Sequence, residues 1–255
     1  MAVQLARREG GGVDDVARRA GRKRDGVVER AAEQRLVGRA LHEPEVRRGD
    51  DVRQPQQRLV AHGILREGSI AAHAVHCDDA DKDALAASGA WVVTNPQSNL
   101  NHAVGIADVL GLVKRGIPVG LGTDAMTVGM LEELRVGLWA QHLRQESPSC
   151  GFMELAGTLF VENPKIASRL WGFPIGTLAE GAAADVILVD YLPPTPLNDA
   201  TVLGHLVFGV SEAVVDTTIC GGRILMEGRK LAIDVDDEAL AAESRRLATA
   251  LWERF

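Results

Sequence analysis

The sequence predicts an α/β protein, with parallel strands alternating with helices, then a small β unit and a closing helix. Two observations predict it. Between residues 69 and 141 three short apolar strands are each followed by a helical segment, the rhythm of parallel β/α architecture. Beyond residue 176 the pattern changes to apolar runs broken by a Pro-rich tract and a Gly-Gly turn, as in a small β unit.

The elements follow in order. A helical stretch ends at Gly63, a C′ glycine after Leu59 and Val60. Ser69–Val75 is a strand of small residues. Residues 78–87 open with acids and turn Ala/Leu-rich, as a helix N-terminus prefers. Trp91–Val93 is the second strand, and residues 94–101, with Pro96, read as a polar loop. Ile106, Val109, Leu110 and Val113 share one face of a helix that ends at Gly116. Val119–Leu121 is the third strand, and Leu131, Leu134 and Leu138 mark a helix over 130–141. Ala184–Asp190 is a near-continuous apolar strand, and Pro193, Pro194 and Pro196 then forbid regular structure. Val214–Cys220 and Ile224–Met226 flank Gly221-Gly222-Arg223, a turn between two strands. Residues 237–254 form an amphipathic helix with Leu240, Leu247 and Leu251 on its apolar side.

Composition narrows the function classes. Of 255 residues 46% are hydrophobic and 25% charged, which is ordinary for a globular protein. No run of 18 apolar residues predicts a membrane span, and the N-terminus lacks the apolar stretch of a secretory signal. The three cysteines, Cys77, Cys150 and Cys220, lie far apart with no CxxC, which fits a reducing, cytoplasmic setting. The net charge of −7 gives no general attraction to nucleic acid or anionic lipid. That average hides a split. Residues 1–60 hold 14 of the 28 Lys and Arg against 10 of the 35 acids, and none of the ten aromatics. Interleaved acids and missing aromatics argue against a nucleic-acid arm. Residues 1–61 are expected to be poorly ordered, loosely helical over Val13–Val37, or foreign to the domain, a lead-in that a shifted reading frame would explain.

Four features could carry chemistry. Gly120-Leu-Gly-Thr-Asp-Ala125 matches a dinucleotide fingerprint, but it follows two earlier β/α units and no acid stands where ribose recognition needs one. His73 and His76 are three apart, so on a strand they face opposite ways unless the strand ends between them. Asp124 closes a strand at the end where β/α active sites sit. Asn95, Pro96, Ser98 and Asn99 form a loop that Asx turns alone would explain. Jointly they say more: His73, the Asn-Pro-x-Ser-Asn loop and Asp124 each follow a successive strand, all on one end of the sheet.

This order resembles the metal-dependent amidohydrolase superfamily, and within it the branch of guanine deaminase, the triazine chlorohydrolases and the SsnA-type aminohydrolases. The residues that carry the resemblance are SIAAHAVHCDD (69–79), VVTNPQSNLNHAVG (92–105), VGLGTDAMT (119–127), MLEELRVGL (130–138), GTLAEGAAADVILVDYLPPTP (176–196), HLVFG (205–209) and TICGGRILMEGR (218–229). The resemblance covers residues 62–255. It implies a (β/α)8 TIM barrel with a small β-sandwich, and hydrolytic removal of an amino or halide group from a small heterocycle. It also implies one divalent metal, zinc or iron. Asp124 would be the acidic metal ligand that takes the proton of the attacking water, and His73 would orient that water or the leaving side. Asn95 and Asn99 would shape the substrate wall.

The sequence also departs from the pattern. Relatives commonly carry His before the Asn-Pro, where this chain has Thr94. The first-strand His-x-His pair and the strand-five His with its Glu have no counterpart, since only His42 and His62 precede His73. The expectation is therefore the C-terminal part of such a barrel, about strands six to eight, over residues 62–175. Part of the small β-sandwich would follow over 176–235, and a C-terminal helix over 236–255. Such a chain, with its open strand edges, would form a homo-oligomer, pair with another chain or aggregate.

Overall fold

The structure, a computed structural model, describes residues 55–255; the expectations for residues 1–54, the Val13–Val37 helix among them, lie outside the described residues. Helix α1 (Pro55–Ala61) starts ahead of the boundary expected at residue 62, and Asp81 of the next helix receives the Gln57 N–H at 3.3 Å. Gly63 follows with φ 69°, the left-handed conformation that glycine adopts without strain.

Three strands, β1 (Ile70–Ala72), β2 (Trp91–Thr94) and β3 (Val119–Leu121), form a parallel sheet in the order β1-β2-β3. Ala71 pairs with Val92, and Val93 with Gly120. Helix α2 (Asp79–Ser88) returns the chain from β1 to β2. It is capped by the Asp78 carboxylate on the Asp81 N–H and stopped by Gly89 at φ 69°. Helices α3 (Pro96–Asn101) and α4 (Val109–Lys114) make the second return, and Asp108 caps α4 through the Gly111 N–H. Helix α5 (Met130–Gln145) follows β3. The core between helices and sheet is aliphatic: Leu85, Val92, Leu112, Val119, Leu134, Leu138 and Leu155 are all but fully buried.

Two parts of this layer differ from expectation. Residues 96–101 are helical, because proline is accommodated at the first helical position, where no N–H is needed. After α5 the chain adds α6 (Phe152–Gly157), a π-helical turn (Thr158–Glu162) and α7 (Asn163–Trp171). The Asn163 amide lies along the edge of β3, donating to the Leu121 C=O and accepting from the Leu121 N–H, both at 2.8 Å. It thereby supplies pairs that a neighbouring strand would otherwise give. Gly120 makes this approach possible. A Cβ there would stand 2.7 Å from Asn163 Oδ1 and 2.8 Å from Ile166 Cδ1. Gly120→Ala is expected to cost about 1–3 kcal/mol, read as a shifted denaturant midpoint with an unchanged slope. The glycine of the apparent nucleotide fingerprint thus has a packing role.

A second sheet is antiparallel, β4 (Val186–Asp190), β5 (Val214–Cys220), β6 (Arg223–Glu227) and β7 (Lys230–Leu231), in that order. Gly221 and Gly222 turn β5 into β6 with φ 55° and 76°, the paired positive values of a tight hairpin. Helix α8 (Val202–Phe208) lies between β4 and β5. The apolar run of β4 is not a buried strand, since Ile187 and Leu188 are more than half exposed. Helix α9 (Asp237–Trp252) is capped by Asp236 on the Ala239 N–H, yet has no buried residue, and Leu240, Leu247 and Leu251 face solvent. No helix of the described residues is long and apolar enough to cross a membrane.

Candidate active site

Because β1, β2 and β3 run parallel, the residues just past them gather at one end of the sheet. His73 follows β1, Asn95 follows β2, and Gly122-Thr123-Asp124 follows β3. The backbone there is strained in two places. His73 and Ala74 have φ of 66° and 51°, and Asp124 and Ala125 have 48° and 58°. Side-chain-bearing residues seldom take this conformation, and such strain gathers at functional sites. The His73 N–H remains tied to the Val93 C=O at 2.8 Å, so β2 fixes where the strained turn begins.

The side chains meet. His73 Nδ1 stands 2.8 Å from Asn99 Oδ1 and 3.3 Å from Asn95 Nδ2. The shorter contact, to an acceptor, assigns the proton to Nδ1, which donates to Asn99. Nε2 then faces the Asp124 carboxylate, with Oδ2 at 3.7 Å. The Ser98 hydroxyl donates to the same Oδ2 at 2.7 Å. Asn95 and Asn99 are 6% and 2% exposed; Asn99 holds the imidazole by accepting its Nδ1 proton, and Asn95 packs beside it. His73 and Asp124 are themselves 40% and 49% exposed, open to a ligand.

His73, Ser98, Asn99 and Asp124 border a cavity of about 510 Å3, shared with His76, Cys77 and His102. The strand ends at Ala72, before either histidine, and both reach the cavity. His102 carries its own support: Nδ1 is 2.9 Å from the Ser98 C=O and 3.5 Å from the Ser98 hydroxyl. Sequence reasoning passed over His102, and the signal that could have found it is the Ser98-x-x-x-His102 spacing of one helical turn. Burial, then the charges of Asp81 and Asp78, push the Cys77 thiol up to about 11 despite Lys82, so it stays protonated and unreactive. Thr94 is buried and borders a separate small void together with Gln141 and Ala107, not this cavity.

One support was invisible in the sequence. Glu133 of α5 is fully buried and accepts the Gln97 N–H at 2.8 Å. It thereby caps α3, whose N-cap Asn95 makes no side-chain cap bond, and α3 carries Ser98 and Asn99. Burial pushes the Glu133 carboxyl up, and the Glu132 charge adds to this against the Gln97 N–H. A raised carboxyl favours the folded state below its unfolded pKa, and that advantage is lost as pH rises through the folded value. Glu133→Gln keeps the acceptor without the charge, so its stability relative to the native chain is expected to improve from pH 4 to pH 7. Glu133→Leu leaves the Gln97 N–H unpaired and is expected to cost about 1–3 kcal/mol at either pH. Denaturant melts at the two pH values check both.

A second cavity, also about 510 Å3, lies beside α8. Its His205 is bonded on both nitrogens, Nδ1 to the Tyr191 hydroxyl at 2.6 Å and Nε2 to Thr195 and the Pro196 C=O, which leaves no ring atom free for chemistry.

His73 and Asp124 are near enough to share one cation. Among the described residues, however, no group of three or more His, Cys, Asp or Glu is placed to hold a metal ion. A catalytic zinc keeps three protein ligands, so the described donors alone do not complete such a site.

The family model described as "Amidohydrolase family" matches residues 28–225, starting inside the Arg-rich segment. Over 197 residues the chain is 34% identical to the 5-methylthioadenosine/S-adenosylhomocysteine deaminase of Desulforudis audaxviator, and 35% to that of Dictyoglomus thermophilum. Each match takes in 75% of this chain and 45% of the relative, so the chain spans about half the length of the relatives it matches. In solved structures, an adenosine deaminase from Xanthomonas campestris with bound zinc superposes with a TM-score of 0.64 at 24% identity, covering 77% of this chain and 45% of that one. Atrazine chlorohydrolase from Arthrobacter aurescens, complexed with zinc, gives 0.61 at 23% identity, covering 76% and 43%. These likenesses show an α/β fold of the TIM-barrel type.

Proposed function

Because this chain belongs to the amidohydrolase family, we propose that its cavity is part of the active site of a hydrolase for non-peptide carbon–nitrogen bonds. The substrate is an amino-substituted heterocycle, a class suggested by the names of the relatives, and a halide-bearing one is the variant suggested by the chlorohydrolase. The observation that carries the reading is His73 Nε2 3.7 Å from Asp124 Oδ2, at the C-terminal ends of parallel strands. Asp124 takes a proton from the attacking water as the C–O bond forms. It returns that proton to the amino nitrogen as the C–N bond breaks, so ammonia leaves and the ring keeps an oxo group. His73, held by Asn99, orients the water or the leaving side. The three-stranded sheet is the region of strands six to eight of the barrel, and β4–β7 are part of the small β-sandwich. The divalent metal, zinc by the company of its relatives, needs at least one donor beyond His73 and Asp124.

Ammonia release tests the reading. Purified chain supplied with zinc or iron should liberate ammonia from at least one member of a panel of aminopurine nucleosides and amino-triazines. No release above the protein-free rate from any of them would overturn it.

A second reading has its own observation. Helix α9 has no buried residue although it carries Leu240, Leu247 and Leu251. An apolar stripe left open suits a chain that pairs with another copy or another chain without turnover of its own. Sedimentation of the purified chain separates the two: this reading needs assembly together with no ammonia release.

A further inference from the structure

We infer that His102 determines specificity in this cavity, selecting an amino-bearing heterocycle over its oxo counterpart; the inference rests on the hydrolase reading above. His102 borders the same cavity as His73 and Asp124. Its Nδ1 lies 2.9 Å from the Ser98 C=O, which can only accept, so Nδ1 carries the proton and the lone pair is on Nε2. The Ser98 hydroxyl cannot reverse this, because its proton is given to Asp124 at 2.7 Å. No protein partner takes Nε2 among the described residues.

The cavity therefore presents three acceptors, the Asp124 carboxylate, His73 Nε2 and His102 Nε2, beside the Gln56 amide and the His76 ring, which can donate as well as accept. No Lys or Arg is among its described lining residues. Such a surface complements a ligand rich in N–H donors. An exocyclic amino group offers two hydrogens, whereas the oxo group that replaces it points lone pairs at lone pairs. A site built to accept hydrogen bonds rejects a ligand that cannot donate them, because its own polar groups are left unpaired. His102 thus favours entry of the amino compound and departure of the oxo product. It takes no part in the proton transfer assigned to Asp124.

The test is calorimetric titration of adenosine and inosine, which differ in the exchange of amino for oxo and in the ring N1 proton that accompanies it, into the metal-free full chain, where turnover does not intrude. The native chain is expected to bind adenosine roughly tenfold more tightly than inosine, the size of one good hydrogen bond. In His102→Ala the ratio should fall to about threefold or less, through weaker adenosine binding. His102→Gln, whose amide oxygen supplies an acceptor, should restore part of the preference. His102 is exposed, so both variants are expected to melt like the native chain. An unchanged ratio in His102→Ala overturns the inference and leaves the hydrolase reading intact. A native chain that shows no preference overturns it too, and absence of ammonia release in the separate assay is what would remove the hydrolase reading beneath it.

Discussion

Asp124→Asn is expected to lower ammonia release by about 10^2–10^4-fold, the range for loss of a positioned acid–base group. The fold should barely respond. Asp124 has φ 48°, and asparagine is among the side-chain-bearing residues that best tolerate that region. The amide oxygen can still accept the Ser98 hydroxyl that now reaches Oδ2 at 2.7 Å. What disappears is the capacity to take a proton from water beside His73. Steady-state ammonia assays on the substrate the native chain prefers, with a thermal melt as the control, check both halves. A loss smaller than tenfold would mean that another group is the base.

Asp108→Ala is expected to be the most damaging single change to stability, at about 3–5 kcal/mol. Lys82 is 6% exposed, and its ammonium lies 2.6 Å from Asp108 Oδ2. Removing the carboxylate leaves that charge buried, with Asp79, whose side chain is 79% exposed, 3.5 Å away. The same change uncaps α4, since Asp108 Oδ1 accepts the Gly111 N–H at 3.1 Å. Burial pushes the Asp108 carboxyl up. The hydrogen bonds from Lys82 and Gly111, with the charges of Lys82 and Arg144, outweigh it and hold the carboxyl below its ordinary value. A depressed carboxyl contributes stability that is present above its unfolded pKa, near 4, and lost as pH falls through the folded value. The gap between the native chain and Asp108→Asn should therefore be wide at pH 7 and narrow in acid. Urea midpoints for the pair at pH 7 and pH 3 measure it, and a gap that widens in acid would contradict the ion-pair account.

Much of the fold was legible because the signals were local. The three short strands, the acids opening α2 and the Gly221-Gly222 turn each declare themselves within a few residues. So did the gathering of His73, Asn99 and Asp124, since parallel strands bring their C-terminal ends to one side. Where reading failed, the deciding contact was remote in sequence. Pro96 looked like a loop marker, yet it opens α3, whose cap comes from Glu133, 36 residues from Gln97. The near-continuous apolar run of β4 does form a strand, but it says nothing of burial, and Ile187 and Leu188 are exposed. The strand rule separated His73 from His76, and the strand stops one residue before His73, so the rule does not reach them. Asn99, expected on the substrate wall, borders the cavity, while its contact with the His73 imidazole and that of Asn95 join residues 26 and 22 apart.

The central claim is that His73 and Asp124 together form the chemical centre of this chain. Zinc titrated into the chain by calorimetry, beside the His73→Ala/Asp124→Ala double variant, tests it most directly. The account predicts zinc binding by the native chain that is weakened at least tenfold in the double variant, because the Asp124 carboxylate and the imidazole beside it are then gone. Indistinguishable isotherms for the two proteins would contradict it.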